Sequence, residues 1–258
     1  MDQNELVAAL HAGMGPVIAH KAFDGRSSVA VQAVQNEAKR LERLFSRFLP
    51  QSDIGQINRT AGVKCEKISP ETYEVLWRAK EYFVNFQGLF DITVGALADL
   101  WDYMNATAPP ENEKIGRVLP LVNCNDLKLA VVSQTAGLAR YGQSIDLGGI
   151  GKGFASDRFM KIFGEYGVAS ALFNIGGNVS TLGSRPDGSP WRVGIRHPRR
   201  KGLLGAFFVS GKTVVTSGDY ERYFFDKEGN LFHHLLSPFT VYPAASGLIS
   251  VTVVEITP

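Results

Sequence analysis

Near the middle of this 258-residue chain lies a glycine-rich stretch, Ser144–Asp157, in which four glycines fall within six residues. Because glycine has no side chain, a ligand can closely approach the backbone N–H groups of such a turn. A helix that begins after the glycines adds the partial positive charge of its N-terminus, and Lys152 adds a full charge. The stretch predicts a site for phosphate oxygens, flanked by Asp146 and Asp157 as possible metal or hydroxyl partners. Taken alone, it fits a turn without a ligand equally well.

Two familiar phosphate-binding motifs do not describe this stretch. In a Walker A loop the lysine is followed by Ser or Thr, whereas Lys152 is followed by Gly153 and the glycine spacing differs. The G-x-G-x-x-G order of dinucleotide-binding turns is not met either. Other segments must therefore identify the chemistry.

Composition and charge exclude several classes of protein. Hydrophobic residues make up 45% of the chain and charged residues 20%, which is ordinary for a globular protein. The net charge of +2 is too small to indicate nucleic-acid binding, and the densest basic run, His197–Lys201, is interpreted as a solvated loop. Cys65 and Cys124 lie far apart without CxxC spacing, so neither a disulfide framework nor a zinc site is expected.

The hydropathy pattern predicts no membrane-spanning segment. No apolar run reaches the roughly 18 residues of a membrane span. The N-terminal residues lack the charged start, apolar core and cleavage site of a secretory leader. We expect a cytoplasmic protein, or a periplasmic or membrane-anchored one if a leader has been removed.

The periodicity of apolar residues predicts the class of fold. Helices are expected at 28–48, 70–85 and 152–167, and the 105–114 segment is expected to be a loop. Because helices and strands mix without strict βαβ alternation, the class is α+β, in one compact unit spanning residues 1–258. Strands are expected at 127–132, 138–141, 171–175, 191–195, 206–210, 214–216, 220–225 and 248–254.

Two further segments carry groups that could do chemistry. Asp91 lies in an otherwise apolar run, so its carboxylate is either hydrogen-bonded within the fold or directed at a ligand. The pair His233-His234 follows a strand, where adjacent side chains point to opposite faces. The inward histidine could be a core residue or a general base.

Taken in order along the chain, these and other segments resemble the ApbE-like FAD:protein FMN transferases. The resemblance runs from end to end, and its specificity comes from the number of matching segments rather than from any single one. The matching segments are Met14-Gly15, Leu44–Asn58, Phe90–Gly95, Ile145–Gly153 with Asp157, Asn174–Gly177, Pro190–Ile195, Ser217–Arg222 and His233–Leu236.

The resemblance implies a fold, a reaction and a set of site residues. It implies a T-fold-related α+β domain with mixed antiparallel sheets, and Mg²⁺-dependent transfer of FMN from FAD to a Ser or Thr hydroxyl of a target flavoprotein, releasing AMP. His234 would be the catalytic base, with Asp157 as a second catalytic residue, and the carbonyl of Gly149 would be a metal ligand. FAD would be bound by Met14, Phe48, Leu89, Phe90, Asp91, Asp146, Lys152 and Leu236.

Departures from the family pattern leave two alternatives open. Ser237 stands where the family has Asp, and Val241 stands where it has Gly. The family's C-terminal helix, with the Asp and Thr that complete the metal site, has no counterpart before Pro258, so we expect an incomplete metal site. The alternatives are a non-catalytic FAD-binding protein and an FAD pyrophosphatase. Neither the acceptor protein nor the oligomeric state follows from the sequence.

Overall fold

The computed structural model describes residues 6–12, 15, 17–23 and 26–256. The chain divides into two compact units. Unit 1 comprises Met1–Glu42, Lys152–Ser217 and Ser250–Pro258, and unit 2 comprises Arg43–Gly151 and Gly218–Ile249. None of the helices in the described residues is long and apolar enough to cross a membrane.

Six helices and thirteen strands make up the described part of the chain. The helices are α1 Ser27–Phe45, α2 Asp53–Arg59, α3 Pro70–Asn85, α4 Gly95–Trp101, α5 Asn112–Val118 and α6 Gly151–Glu165. The strands are β1 Leu6–Ala12, β2 Val17–Phe23, β3 Glu66–Lys67, β4 Leu127–Ala130, β5 Thr135–Leu138, β6 Ser170–Ile175, β7 Asn178–Leu182, β8 Trp191–Arg196, β9 Leu203–Val209, β10 Lys212–Gly218, β11 Tyr223–Phe225, β12 Leu231–His233 and β13 Ser250–Ile256.

Unit 1 is built on a six-stranded sheet in the order β1-β2-β6-β7-β10-β13. Strand β2 alternates between exposed and buried residues, and Ile18, His20 and Ala22 point to the buried side. The ring of His20 lies 6.1 Å from that of Phe159 and 6.3 Å from that of Phe163, both on α6. The helix therefore covers this face of the sheet.

A separate hairpin of β8 and β9 supplies a second core in unit 1. Trp191, Val193 and Val209 of the hairpin form a buried cluster with Val214 of β10. Partly buried side chains from other strands of the sheet pack against this cluster, which gives the sheet a second apolar side.

In unit 2, helix α3 has the capping residue, first-turn proline and buried face that are typical of helices. The Ser69 hydroxyl accepts a hydrogen bond from the Thr72 N–H, which caps the helix, and Pro70 occupies its first turn. Val75, Leu76 and Ala79 are buried along one face. The helix has the bounds expected from the sequence, Pro70–Asn85.

A second apolar cluster in unit 2 surrounds Trp101 at the end of α4. It contains Leu97, Ile115, Phe224 and Val241, which brings α4, α5 and the β11–β12 hairpin together. The Trp101 indole N–H donates to the Val241 carbonyl at 2.8 Å, so the largest buried side chain of this cluster is also hydrogen-bonded.

The α+β class with antiparallel sheets is confirmed. The prediction of a strand at 138–141 was wrong by three residues, because the chain reverses earlier, at Gln134 with a positive φ of 48°. The expected loop at 105–114 already contains the start of α5. The prediction of one domain over 1–258 stays a prediction.

Candidate functional site

The candidate site lies in unit 2, where the glycine-rich loop is held from two sides. The Asn58 side chain accepts from the Ile145 N–H at 2.7 Å and donates to the Ile145 carbonyl at 3.0 Å. On the other side, the Asp146 N–H donates to the Ile92 carbonyl at 2.8 Å. The backbone that enters the loop is therefore fixed before the first glycine.

Gly95 makes this close packing possible. Its N–H donates to the Ser144 carbonyl at 2.9 Å, beside a parallel bridge between Val94 and Ser144. A Cβ atom on Gly95 would lie 2.5 Å from the Ser144 carbonyl oxygen, a distance that real Cβ atoms do not reach. Only glycine fits this position without moving the loop.

Asp146 is the carboxylate of the loop, and both of its oxygens have partners. Oδ1 accepts from the Gly148 N–H at 2.7 Å, and Oδ2 lies 3.6 Å from Nη1 of Arg47. The carboxylate therefore closes the turn toward the glycines while its charge is balanced by a cation.

Arg47 holds several elements of the site together. Only 10% of its side chain is exposed, and Nη2 donates to Oδ2 of Asp99 at 2.5 Å and to the Gly95 carbonyl at 3.0 Å. The same nitrogen lies 3.3 Å from the Ser144 hydroxyl. The guanidinium thus connects the end of α1 to α4 and to the entry of the glycine-rich loop.

Aromatic rings adjoin the loop and its arginine. A Cβ on Gly149 would lie 3.0 Å from the ring of Phe90, so the glycine backbone rests against that ring. The Phe90 ring meets Tyr82 edge to face at 5.9 Å. Phe48 is 80% exposed, and the Arg47 guanidinium carbon lies 5.2 Å from the centre of its ring. An exposed ring beside the loop can offer a flat surface to an aromatic ligand.

Asp91 is buried, and its hydrogen bonds stay within the surrounding loops. Oδ1 accepts from the Thr93 N–H at 2.7 Å and from the Thr93 hydroxyl at 2.6 Å. Oδ2 accepts from the Cys124 N–H at 3.0 Å. Burial, with a further contribution from the Asp91 charge, raises the pKa of the Cys124 thiol to about 12, so this thiol is not a nucleophile.

A cleft of about 370 Å³ opens beside Asp91. It runs between the end of α3 and the loop that follows β12, and Phe83, Gly88, Asn123 and Phe239 are among its walls. Its size lies within the range of small-ligand sites.

The His234 segment is a second loop of the same unit. The backbone N–H of His234 donates to the Arg222 carbonyl at 3.0 Å, and its ring Nδ1 lies 3.2 Å from the same oxygen. If Nδ1 carries the proton, it donates to that carbonyl, and Nε2 is then the basic nitrogen. Leu236 forms an isolated bridge with Pro243.

The sequence matches the model of one protein family, the ApbE family, over residues 14–257. The chain belongs to the ApbE family. The matched region contains the glycine-rich loop, the segment around Asp91 and the segment around His234.

Curated ApbE relatives align with most of the chain. A protein of Klebsiella pneumoniae (strain 342) named FAD:protein FMN transferase is 31% identical over 258 residues, which cover 99% of this chain and 79% of the relative. A protein of Treponema pallidum (strain Nichols) with the same name is 30% identical over 260 residues, which cover 93% and 72%.

Solved ApbE structures share the fold. The ApbE protein of Thermotoga maritima superposes with a TM-score of 0.88 at 28% identity, over 97% of this chain and 82% of that one. The apo form of the flavinyl transferase ApbE of Pseudomonas stutzeri superposes with a TM-score of 0.85 at 27% identity, over 100% and 82%.

The structure places most of the predicted ApbE site residues in unit 2. The glycine-rich loop with Asp146 and Gly149 contacts Phe90, and Leu89 beside it is 67% exposed. Lys152 and Asp157 lie on the first turns of α6 and are counted in unit 1. Met14 lies outside the described residues.

Arg47 is the site residue that sequence reasoning missed. It lies within the segment Leu44–Asn58 that carried part of the ApbE resemblance, directly after an amphipathic helix. A charged residue inside an apolar run, at the point where a helix ends, was the available signal.

Ser237 and Val241, which differ from the ApbE pattern, both lie in the turn after His234. The Ser237 hydroxyl lies 3.3 Å from the N–H groups of Phe239 and Thr240, so it caps the turn where the family has a carboxylate. Val241 adopts a left-handed φ of 57° although it is β-branched, and only 3% of it is exposed. The conformation that glycine would provide is therefore kept, with strain of roughly 1–2 kcal/mol.

The described residues do not by themselves fit a magnesium site. No group of three or more His, Cys, Asp or Glu side chains in the described part of the chain could surround an ion. The Gly149 carbonyl supplies one hard oxygen, and Mg²⁺ in proteins commonly uses one or two carboxylates together with substrate phosphates. A magnesium ion at the Gly149 carbonyl would therefore need phosphate oxygens of a substrate as further ligands.

Proposed function

We propose that this chain is an FAD:protein FMN transferase, which binds FAD and transfers its FMN part to a Ser or Thr hydroxyl of a target flavoprotein, releasing AMP. The observation that carries the proposal is that the family match, residues 14–257, contains all three segments that build the candidate site. The name of the relatives that align with 99% and 93% of the chain supports it.

Catalysis of this reaction depends mainly on positioning the reactants and stabilising phosphate charge. The hydroxyl oxygen of the target attacks the phosphorus of the FMN half of FAD, and the bond from that phosphorus to the bridging oxygen breaks. AMP leaves with the bridging oxygen, and the hydroxyl proton passes to a base. Charge on the phosphates must be stabilised and the attacking oxygen held in line.

The residues divide these tasks. We assign FAD binding to the glycine-rich loop with Asp146 and Lys152, to Phe48 and Phe90, and to Leu236, with Met14, Leu89 and Asp91 as further contacts. Backbone N–H groups of the loop are suited to phosphate oxygens. We assign the proton transfer to His234, whose Nδ1 lies near a carbonyl that can hold the ring in one tautomer. Asp157 remains a proposed second catalytic residue.

Dependence on Mg²⁺ is part of the proposal and needs its own test. The Gly149 carbonyl and the phosphates of FAD would be its ligands in unit 2. Flavin fluorescence titrations with FAD, with and without Mg²⁺, measure whether the ion strengthens binding.

One observation favours a second candidate, a non-catalytic FAD-binding protein. Ser237 uses its hydroxyl to cap a turn, so the position after His234 that carries a carboxylate in the family pattern supplies none. Such a protein would bind FAD without transferring FMN.

The deciding experiment mixes the chain with FAD, Mg²⁺ and a target flavoprotein that carries an acceptor Thr. We expect AMP to appear in step with flavin attached to the target, as seen by in-gel fluorescence, and no labelling when the acceptor Thr is replaced by Val. His234→Ala should bind FAD normally and label at least a hundredfold more slowly. FAD binding without AMP would establish the second candidate, and AMP without labelling would indicate a pyrophosphatase.

A further inference from the structure

The β8–β9 hairpin of unit 1 has one buried face and one face that the described residues leave open. Trp191, Val193 and Val209 belong to the buried cluster described above. Because side chains alternate along a strand, Arg192 and Arg196 of β8 point to the opposite, outer face, where both are exposed.

Large apolar side chains lie toward both ends of this outer face. Phe208 lies directly opposite Arg192 in the register and is 67% exposed. The register shifts at Arg196, and this irregularity places Leu203 and Leu204 together at the far end of β9. They are 55% and 68% exposed.

Glycine allows the apolar side chains to lie flat across the hairpin. A Cβ atom on Gly194 would lie 2.8 Å from Cδ1 of Leu203, so the Leu203 side chain crosses the strand over Gly194. The outer face is therefore a continuous apolar strip from Leu203 and Leu204 to Phe208, with an arginine beside each end.

The charged residues of the hairpin itself are all positive. Residues 191–209 contain five Lys or Arg residues and no Asp or Glu, whereas the rest of the chain has 22 basic and 25 acidic residues. Arg199, Arg200 and Lys201 form the exposed turn that joins β8 to β9. A chain with a net charge of +2 thus concentrates +5 on one hairpin.

We propose that the outer face of the β8–β9 hairpin binds the surface of an anionic lipid bilayer. Leu203, Leu204 and Phe208 would enter the boundary between headgroups and acyl chains, and the basic residues would contact the lipid phosphates. This goes beyond the proposed transferase activity and does not depend on it.

The side chains of the face favour a bilayer over an acidic protein. From Arg192 along β8 and back along β9 to Phe208, the outward side chains of the two strands are Arg, Gly, Leu, Ala and Phe. None of these side chains carries a neutral hydrogen-bonding group. Protein interfaces are depleted in Lys and carry about one hydrogen bond per 100–200 Å². Leu and Phe beside Lys and Arg are typical of segments that lie on membranes.

The test is flotation of the full chain with vesicles of phosphatidylcholine containing roughly one third phosphatidylglycerol. We expect binding that weakens as salt is raised and is lost on pure phosphatidylcholine. Replacing Arg200 and Lys201 by Gln should weaken partitioning about 30-fold, since each neutralised charge is worth about fivefold. Replacing Leu204 and Phe208 by Ser should weaken it at least tenfold.

Matched controls come from the other unit. Lys67→Gln removes an exposed charge from β3, and Val132→Ser removes a side chain that is 97% exposed, so neither should change flotation. Circular dichroism of each variant verifies folding. Absence of binding, equal binding to neutral vesicles, or hairpin variants that float like wild type would each overturn the proposal. Tight binding to polyglutamate with no flotation would identify an acidic protein as the partner instead.

Discussion

Replacing Asp91 by Asn distinguishes a residue that organises the site from one that only contacts the ligand. The carboxylate accepts three hydrogen bonds, two at Oδ1 from Thr93 and one at Oδ2 from the Cys124 N–H. Asn has the same shape but replaces one acceptor oxygen by an NH₂ group. If the amide oxygen keeps both bonds from Thr93, the NH₂ group faces the Cys124 N–H, and two buried donors lose their acceptor.

The magnitude follows from this mismatch. Leaving a buried donor unsatisfied costs about 1–3 kcal/mol, so Asp91→Asn should lower the free energy of unfolding of the ligand-free protein by about 2–4 kcal/mol. In a chain of this size each kcal/mol shifts the melting temperature by about 2–4 °C. A decrease of roughly 10 °C is expected, and urea unfolding followed by circular dichroism measures the same change at constant temperature.

The chain offers a matched control at Asp187. Its Oδ1 accepts from the N–H and the hydroxyl of Ser189 with the same two-residue spacing, but the turn is exposed. Asp187→Asn should therefore leave the unfolding curve unchanged. If Asp91→Asn also leaves it unchanged and instead abolishes FAD binding, then Asp91 acts on the ligand and the loop does not depend on it.

Three further changes probe other parts of the fold. Gly95→Ala should destabilise the protein and weaken FAD binding, because the new Cβ would meet the Ser144 carbonyl. Its control is Gly116→Ala in α5, where a Cβ meets nothing within 4 Å and should stabilise the protein by about 0.5–1 kcal/mol. Equal effects of the two changes in urea unfolding would contradict this expectation. Burial first, and then the neighbouring His11, lowers the pKa of His20 from 6.5 to about 4, so the unfolded chain takes up a proton first as the pH falls. Stability should decrease by about 2–3 kcal/mol between pH 7 and pH 4.5, and His20→Phe should flatten that slope; an unchanged slope would refute the assignment. Trp101→Phe removes a buried hydrogen bond and should cost about 1–3 kcal/mol in urea unfolding, and a variant as stable as wild type would show that the bond contributes nothing.

The sequence predicted helices better than strand ends. Helix α3 was predicted with its observed bounds because a capping serine, a proline in the first turn and a buried stripe all agree. The strand predicted at 138–141 lies three residues beyond the observed β5, Thr135–Leu138, because apolar alternation does not show where the chain reverses. That point is set by the left-handed Gln134, a residue without a strong turn preference.

The short helices were missed for a related reason. Helices α2, α4 and α5 have seven residues each, about two turns, which is too few for a period of 3.6 to be distinguished from alternation. Helices α4 and α5 have no side-chain cap and take part in the tertiary packing around Trp101, whereas α2 is capped by the Ser52 hydroxyl, which accepts from the Gly55 N–H.

The candidate site was predicted by resemblance rather than by physical pattern. Asp146 could be singled out because a carboxylate beside glycines before a helix is conspicuous in a sequence, whereas Gly149 was named only by the resemblance. The residues that hold the loop are distant in the chain: Arg47, the partner of the Asp146 carboxylate, precedes it by about a hundred residues, and Asn58 precedes Ile145, whose backbone it bonds, by 87. Spacing along the chain contains no signal for such contacts.

Val241 shows how far a single substitution can mislead sequence reasoning. A valine in place of a family glycine suggests that the loop after His234 has lost a special conformation, yet the residue keeps a φ of 57°. Its N–H donates to the Ser237 carbonyl at 2.8 Å, and its own carbonyl accepts from Trp101 at 2.8 Å, so the backbone is held at both ends. Burial of the side chain in the Trp101 cluster contributes roughly 1.5–3 kcal/mol, which offsets the strain of the left-handed conformation. The shape of this turn is therefore set by the packing around it and not by the residue at its centre.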